Sequence, residues 1–154
     1  MLKMTFNRIA KRVFIGGGPM DANDIQSLIS AGIVAVVDCR ELDDNQLVAG
    51  AERSEIEILH NPTADDGTPK PASWFEAGYN FAHLILQNKD GAAYFHCDAG
   101  RNRGPSMGYY FMRREYGLFG DDVKHIMHVH RPITDVGGIR YADDADAALR
   151  LIAG

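Results

Sequence analysis

The stretch His96-Cys97-Asp98-Ala99-Gly100-Arg101-Asn102-Arg103 places the Cys97 thiol and the Arg103 guanidinium on one short loop, with five residues between them. A loop that turns from a strand into a helix N-terminus aims successive backbone N–H groups into one concavity, and such a concavity binds anions. Gly100 permits the tight turn, and Arg103 adds a planar fork of donors matched to a tetrahedral oxyanion. The same positive field favours a thiolate at Cys97, so anion binding and thiol activation share one cause. A bare Cys-x5-Arg match is weak. Here an apolar run, Ala92-Ala93-Tyr94-Phe95, precedes it, and Pro105 suits the first turn of a following helix.

Cleavage of a phosphate ester also needs a proton for the leaving oxygen. The candidates are Asp65 and Asp66, adjacent in a proline-rich loop about thirty residues before Cys97. Either could instead be a turn former, since Asp-Gly is a common turn pair. His96 reads as a residue that orients the loop through hydrogen bonds rather than one that moves protons. Cys39 follows a buried strand and reads as structural; a protective disulfide with Cys97 is the lesser alternative.

The elements that must position these groups alternate. Val13-Phe14-Ile15 is a short strand ending at Gly16-Gly17-Gly18-Pro19, which lacks the spacing of a dinucleotide fingerprint. A helix follows from Asp21 or Asn23, with Ile25, Leu28 and Ile29 on one face and Gly32 as its stop. Ile33 to Val37 is a continuous apolar run, as in a central parallel strand. The polar segment from Glu41 to Arg53 gives no clear pattern. Glu55 to Leu59 alternates with period two, and 61–71 is loop. Ser73 with Glu76 matches a capping box at the start of a helix through Trp74, Gly78, Phe81 and Ile85. Further helices end near Gly117, span Asp121 to Arg131, and run through Tyr141, Ala145, Ala148 and Ile152. His125, His128 and His130 lack the spacing of a metal set and read as solvated or helix-packing residues.

These features predict one α/β domain over residues 1–154 with a mainly parallel sheet. The 154 residues are 45% hydrophobic and 24% charged, ordinary globular values. A formal charge of −5 leaves no basic excess for a nucleic-acid backbone. Two cysteines are too few for a disulfide scaffold, no apolar run reaches membrane-spanning length, and the N-terminus lacks a signal-peptide pattern. The expectation is a cytoplasmic protein without membrane insertion.

His96, Cys97, Gly100 and Arg103 fit the His-Cys-x-x-Gly-x-x-Arg pattern of the protein tyrosine phosphatase superfamily, and the chain resembles its dual-specificity branch. Residues 61–69 look like that family's general-acid loop, Ser73-Trp74-Phe75 like the start of its next helix, and His130-Arg131-Pro132-Ile133 like its Arg-Pro pair. The likeness covers nearly the whole chain. It implies a three-layer fold, with about four mainly parallel strands flanked by helices. It implies hydrolysis of phosphate monoesters through a phosphocysteine on Cys97, with neither metal nor cofactor. Residues 98 to 103 (Asp98, Ala99, Gly100, Arg101, Asn102 and Arg103) would form the phosphate-binding loop, with Asp65 or Asp66 as the acid; the Asp-Gly-x-Pro pattern slightly favours Asp66. The substrate would be a phosphorylated protein or small molecule, a lipid included.

Two positions depart from the family pattern. Gly104 replaces the usual Ser or Thr whose hydroxyl helps the thiolate leave, which keeps open a phosphate-binding module with poor turnover. Arg101 adds charge inside the loop, as in relatives that act on highly phosphorylated lipids, while Asp98 pulls the other way. A thiol redox enzyme such as an arsenate reductase is a third reading, and it would need Cys39 as the resolving thiol.

Overall fold

A computed structural model describes residues 4–18, 21–41, 56–134 and 139–153. Five strands, β1 (Phe6–Ala10), β2 (Val13–Gly17), β3 (Ile33–Asp38), β4 (Glu57–His60) and β5 (Ala92–Cys97), form one sheet in the order β1-β2-β5-β3-β4. β2, β5, β3 and β4 run parallel, and β1 closes one edge antiparallel to β2. The sequence pattern gives the four parallel strands and misses β1. Its residues Phe6-Asn7-Arg8 are largely exposed, so no apolar run marks the edge. Much of the polar segment without a clear pattern, 42–53, and Glu55 at the start of the fourth predicted strand lie outside the described residues.

Among the described residues five helices cover the sheet: α1 (Ala22–Ser30), α2 (Ala72–Asn88), α3 (Arg103–Tyr116), α4 (Gly120–His130) and α5 (Ala142–Ala153). Asp21 caps α1 by accepting from the Asp24 N–H at 3.0 Å, as a short acidic side chain does at an N-cap. The apolar faces of α1 and the sheet meet through Ile25, Leu28, Phe14, Val36 and Tyr94. On the opposite face α2, α3, α4 and α5 build the larger core around Phe75, Phe95, Tyr110, Phe111 and Met127. Burial of each such large side chain contributes roughly 2 kcal/mol. This layering leaves the C-terminal ends of the parallel strands at one end of the sheet, where α/β folds carry their ligands.

The start of α2 differs from expectation. Its N-cap is Pro71, and Ser73 lies inside the first turn with no capping bond. A reciprocal pair takes over: Trp74 Nε1 donates to the Asn61 carbonyl and Asn61 Nδ2 donates to the Trp74 carbonyl, both at 2.9 Å. Those two bonds close the base of the loop 61–71 against the helix, so the entry to α2 is set by tertiary contact rather than by a local box.

Candidate active site

β5 ends at Cys97, and α3 begins six positions later at Arg103. In the sheet, Cys97 lies opposite Gly17 of β2, and His96 lies opposite Asp38 of β3, immediately before Cys39. Both cysteines are free and buried. Burial, reinforced by Cys97 and Asp38, pushes the Cys39 thiol well above its ordinary range, so it stays protonated. Its carbonyl accepts from Arg103 Nη1 at 3.5 Å.

The loop between Cys97 and Arg103 is shaped from outside. Gly18 N–H donates to the Asp98 carbonyl at 3.3 Å. Arg131, 1% exposed, donates from Nη2 to the Ala99 carbonyl at 3.1 Å and from Nε to the Gly100 carbonyl at 2.9 Å. A trans peptide points its N–H opposite to its C=O, so three outward carbonyls turn the N–H groups of Ala99, Gly100 and Arg101 toward the concave side. Gly100 makes the turn at φ +67, and a Cβ there would run into the Gly16 backbone. Sequence and packing both demand glycine at this position.

Arg103 is nearly buried, and its donors divide unequally. Nη1 reaches the Thr63 carbonyl at 3.0 Å, and Nη2 reaches Asp98 Oδ2 at 3.0 Å. Nε is buried and has no partner among the described residues. A buried orphan donor on a guanidinium is costly, and the Arg103 side chain that carries it lines a cavity of about 460 Å³ together with Cys97, Asp98, Ala99, Arg101 and Asn102 from the loop and with Glu41 and Asp65. An oxyanion over Cys97 would satisfy that donor.

Asp65 and Asp66 point to different surroundings. Asp65 lines the cavity and accepts from Asn102 Nδ2 at 3.0 Å, from Tyr141 Oη at 2.7 Å and from Arg140 Nη1 at 3.1 Å. Partial burial raises its pKa, but those three donors outweigh burial and hold it below the usual carboxylate value. Asp66 instead folds back on its own loop. The Thr68 hydroxyl and N–H and the Lys70 ammonium bind it at 2.7, 3.0 and 3.1 Å. They push its pKa far below the ordinary carboxylate value. Buried Lys70 also donates to the Ala64 carbonyl at 2.5 Å and lies 4.9 Å from the Tyr141 ring centre. Asp66 therefore secures the loop, and Asp65 faces the thiol side.

His96 is 1% exposed and stacks on Tyr94 with ring centres 5.2 Å apart. Burial depresses its pKa to about 4, so it is neutral at pH 7. Its Nδ1 lies 3.4 Å from the Cys97 carbonyl. Gly104 is buried, and a Cβ there would lie 3.1 Å from the His96 Cα and the Phe95 carbonyl oxygen. The helix start is packed against β5 too closely for a side chain to enter easily. Buried Ser106 turns its hydroxyl to the Asn102 carbonyl at 2.6 Å.

Arg140 and Tyr141 escape the sequence reading. Tyr141 fits the apolar face of the last helix, and nothing near it in sequence reveals that its hydroxyl meets a carboxylate 76 residues away. His125, His128 and His130 fall on α4, and no group of three or more potential metal ligands occurs among the described residues.

No protein-family model and no curated protein matches the sequence. Solved structures do match the fold. PTPMT1 superimposes with a TM-score of 0.81 at 18% identity, covering 97% of this chain and 96% of that one. Human DUSP28 gives 0.79 at 17% identity over 97% and 95% of the two chains. A mouse dual specificity phosphatase complexed with zinc tungstate gives 0.77 at 19% identity over 96% and 87%. The chain thus has the three-layer fold of the dual-specificity phosphatases, with a central sheet of five strands rather than about four.

Proposed function

We propose that the protein is a cysteine-dependent phosphatase that hydrolyses phosphate monoesters through a phosphocysteine on Cys97. The observation that carries this reading is the cavity that Arg103, Cys97 and Asp65 line together, with the buried Arg103 Nε left without a partner among the described residues. An ester phosphate would sit on the loop N–H groups with its oxygens on Arg103. The Cys97 thiolate forms the S–P bond as the P–O bond to the leaving group breaks, and the leaving oxygen takes the proton of Asp65. Water then attacks the phosphocysteine, Asp65 accepts its proton, and the Cys97 thiolate and inorganic phosphate are released.

Asp65 is the preferred acid because it faces the cavity, whereas Asp66 is engaged by Thr68 and Lys70. Its lowered pKa favours the base form needed in the second step and makes the first step demanding for poor leaving groups. Gly104 supplies no hydroxyl to help the thiolate depart, which favours a slow second step as a companion reading.

The substrate would be a phosphorylated protein or small molecule. PTPMT1 has been solved with PI(5)P, at 14% identity and a TM-score of 0.74 over 96% of this chain and 98% of that one, so a phosphorylated lipid belongs in the substrate panel. No described helix is long and apolar enough to cross a membrane.

The test is phosphate release from an aryl phosphate without added metal. Wild type should turn over, Cys97→Ser should be inactive, and Asp65→Asn should lose far more activity than Asp66→Asn. A single burst with little turnover identifies slow breakdown of the phosphocysteine. No release, with phosphorylated ligands still bound, replaces the reading by a phosphate-binding module.

A further inference from the structure

The ion pair between Asp98 and Arg103 occupies the guanidinium edge that a phosphate would use. Of the five Arg103 N–H groups, those on Nη1 face the Thr63 and Cys39 carbonyls at 3.0 and 3.5 Å. The remaining edge is Nε with Nη2, the pair that grips an oxyanion in two parallel bonds. Asp98 Oδ2 already takes Nη2 at 3.0 Å, and Nε has no partner among the described residues. The two partners differ in burial: the Arg103 side chain is 7% exposed and that of Asp98 is 69% exposed. The carboxylate can swing into water while the guanidinium stays.

The cavity carries an unusual charge balance for a phosphate site. Glu41, Asp65 and Asp98 line it against Arg101 and Arg103. Asp65 is already met by Arg140, and a bound phosphate would consume Arg103. Among the described lining residues, what remains is the released Asp98 carboxylate with exposed Glu41, against exposed Arg101. That surplus disfavours a substrate with several phosphates and favours one with a positive group beside the phosphate.

We infer that Asp98 is a specificity-determining gate, which competes with substrate phosphate for Arg103 and, once displaced, selects phosphomonoesters that carry a cation next to the phosphate. A phosphotyrosine within a basic peptide segment has this chemistry. The inference rests on the proposed phosphate site at Cys97 and goes beyond it, because an aspartate directly after the nucleophile is not needed for phosphoryl transfer.

Two measurements test it without turnover. Inorganic phosphate is titrated calorimetrically into wild type, Asp98→Asn and Asp98→Ser at pH 7. Removing the competing carboxylate should tighten phosphate binding about threefold to tenfold, the scale of an exposed ion pair plus relieved like-charge repulsion. Unchanged, weaker or absent binding in both variants, with melting temperatures matching wild type, overturns the gate, because Asp98 would then be orienting Arg103. In a Cys97→Ser background, a phosphotyrosine peptide flanked by lysines should bind more tightly than one flanked by glutamates, and adding Asp98→Asn should shrink that ratio. Equal binding of the two peptides, or a ratio unmoved by Asp98→Asn, overturns the selection. If both predicted effects appear but no ester is hydrolysed, the proposed reaction fails while the gate stands.

Discussion

Arg131 donates from Nε to the Gly100 carbonyl at 2.9 Å, joining the end of α4 to the loop after Cys97 across 31 residues. Its remaining donors reach the Ala99 carbonyl, Asn7 Oδ1 at 2.6 Å and Thr5 Oγ1 at 3.2 Å. No carboxylate among the described residues pairs with this buried charge, and burial lowers its pKa from the ordinary arginine value. One side chain therefore ties the edge strand, a helix end and the anion loop together.

Arg131→Lys should keep the charge but lose the fork. The expected cost is about 2–4 kcal/mol of stability, the range for breaking a buried hydrogen-bonded network. The Ala99 and Gly100 carbonyls would lose their external donor, so phosphate affinity should fall even where the fold survives. Chemical denaturation with calorimetric phosphate titration checks both parts. A variant that loses stability but keeps phosphate affinity would show that the loop holds its shape without Arg131.

Tyr141 Oη donates to Asp65 Oδ1 at 2.7 Å and accepts from the Gly67 N–H at 3.1 Å. Tyr141→Phe removes one of the donors that hold the Asp65 pKa down, so that pKa should rise. The protonated fraction at neutral pH rises with it. Hydrolysis of an ester with a poor leaving group should then extend to higher pH, while an activated aryl ester changes little. The pH profile of kcat/KM for the two ester types reads this directly. A profile that does not move, or moves to lower pH, removes Tyr141 from control of Asp65.

The loop from Cys97 to Arg103 was legible because its chemistry is local: thiol, glycine and guanidinium sit within one strand–turn–helix unit. The four parallel strands were legible because each carries a buried run or an alternating pattern. The choice between Asp65 and Asp66 was not. Two neighbouring carboxylates on one loop look alike until Tyr141 and Arg140 arrive from the far end of the chain to take one, and Lys70 takes the other. The same reason hides the entry to α2, where the Asn61–Trp74 pair replaces the capping box that Ser73 and Glu76 spell out. In both cases the deciding partners come through the fold, Tyr141 and Arg140 to Asp65 and Asn61 to Trp74, and no local pattern announces them.

His96 should make stability depend on pH between neutral and mildly acidic conditions. Its folded-state pKa is about 4, against 6.5 ordinarily, and the largest cause is burial. Below pH 6.5 the unfolded chain takes a proton at this position that the folded chain refuses, so stability is lost as pH falls from 6.5 toward 4. Full development of the effect is on the order of 3 kcal/mol. Asp65, whose pKa is lowered, acts in a separate window, because its contribution is present above pH 3.8 and is lost below it. Urea midpoints at pH 7 and pH 5 should differ in wild type and converge in His96→Gln. Equal slopes in the two proteins would place the titration elsewhere.

Gly100 gives the sharpest separation between backbone and side-chain causes. Its φ of +67 is unfavourable for any residue with a Cβ, and the space a Cβ would fill belongs to Gly16 and to Arg131 Nη2, 2.6 Å away. Gly100→Ala must therefore shift either the loop or the strand beside it, and backbone cannot yield as a flexible side chain can. The strain of the left-handed conformation alone costs about 1–2 kcal/mol, and the steric conflict adds to it. If the loop moves rather than the strand, the N–H groups of Ala99 and Arg101 leave the cavity while Cys97 and Arg103 stay in the chain. Gly100→Ala should then remain folded with a lowered melting temperature and bind inorganic phosphate at least tenfold more weakly, a loss of about 1.4 kcal/mol. Phosphate affinity close to wild type in Gly100→Ala would mean that Arg103 alone, and not the backbone cradle, holds the anion.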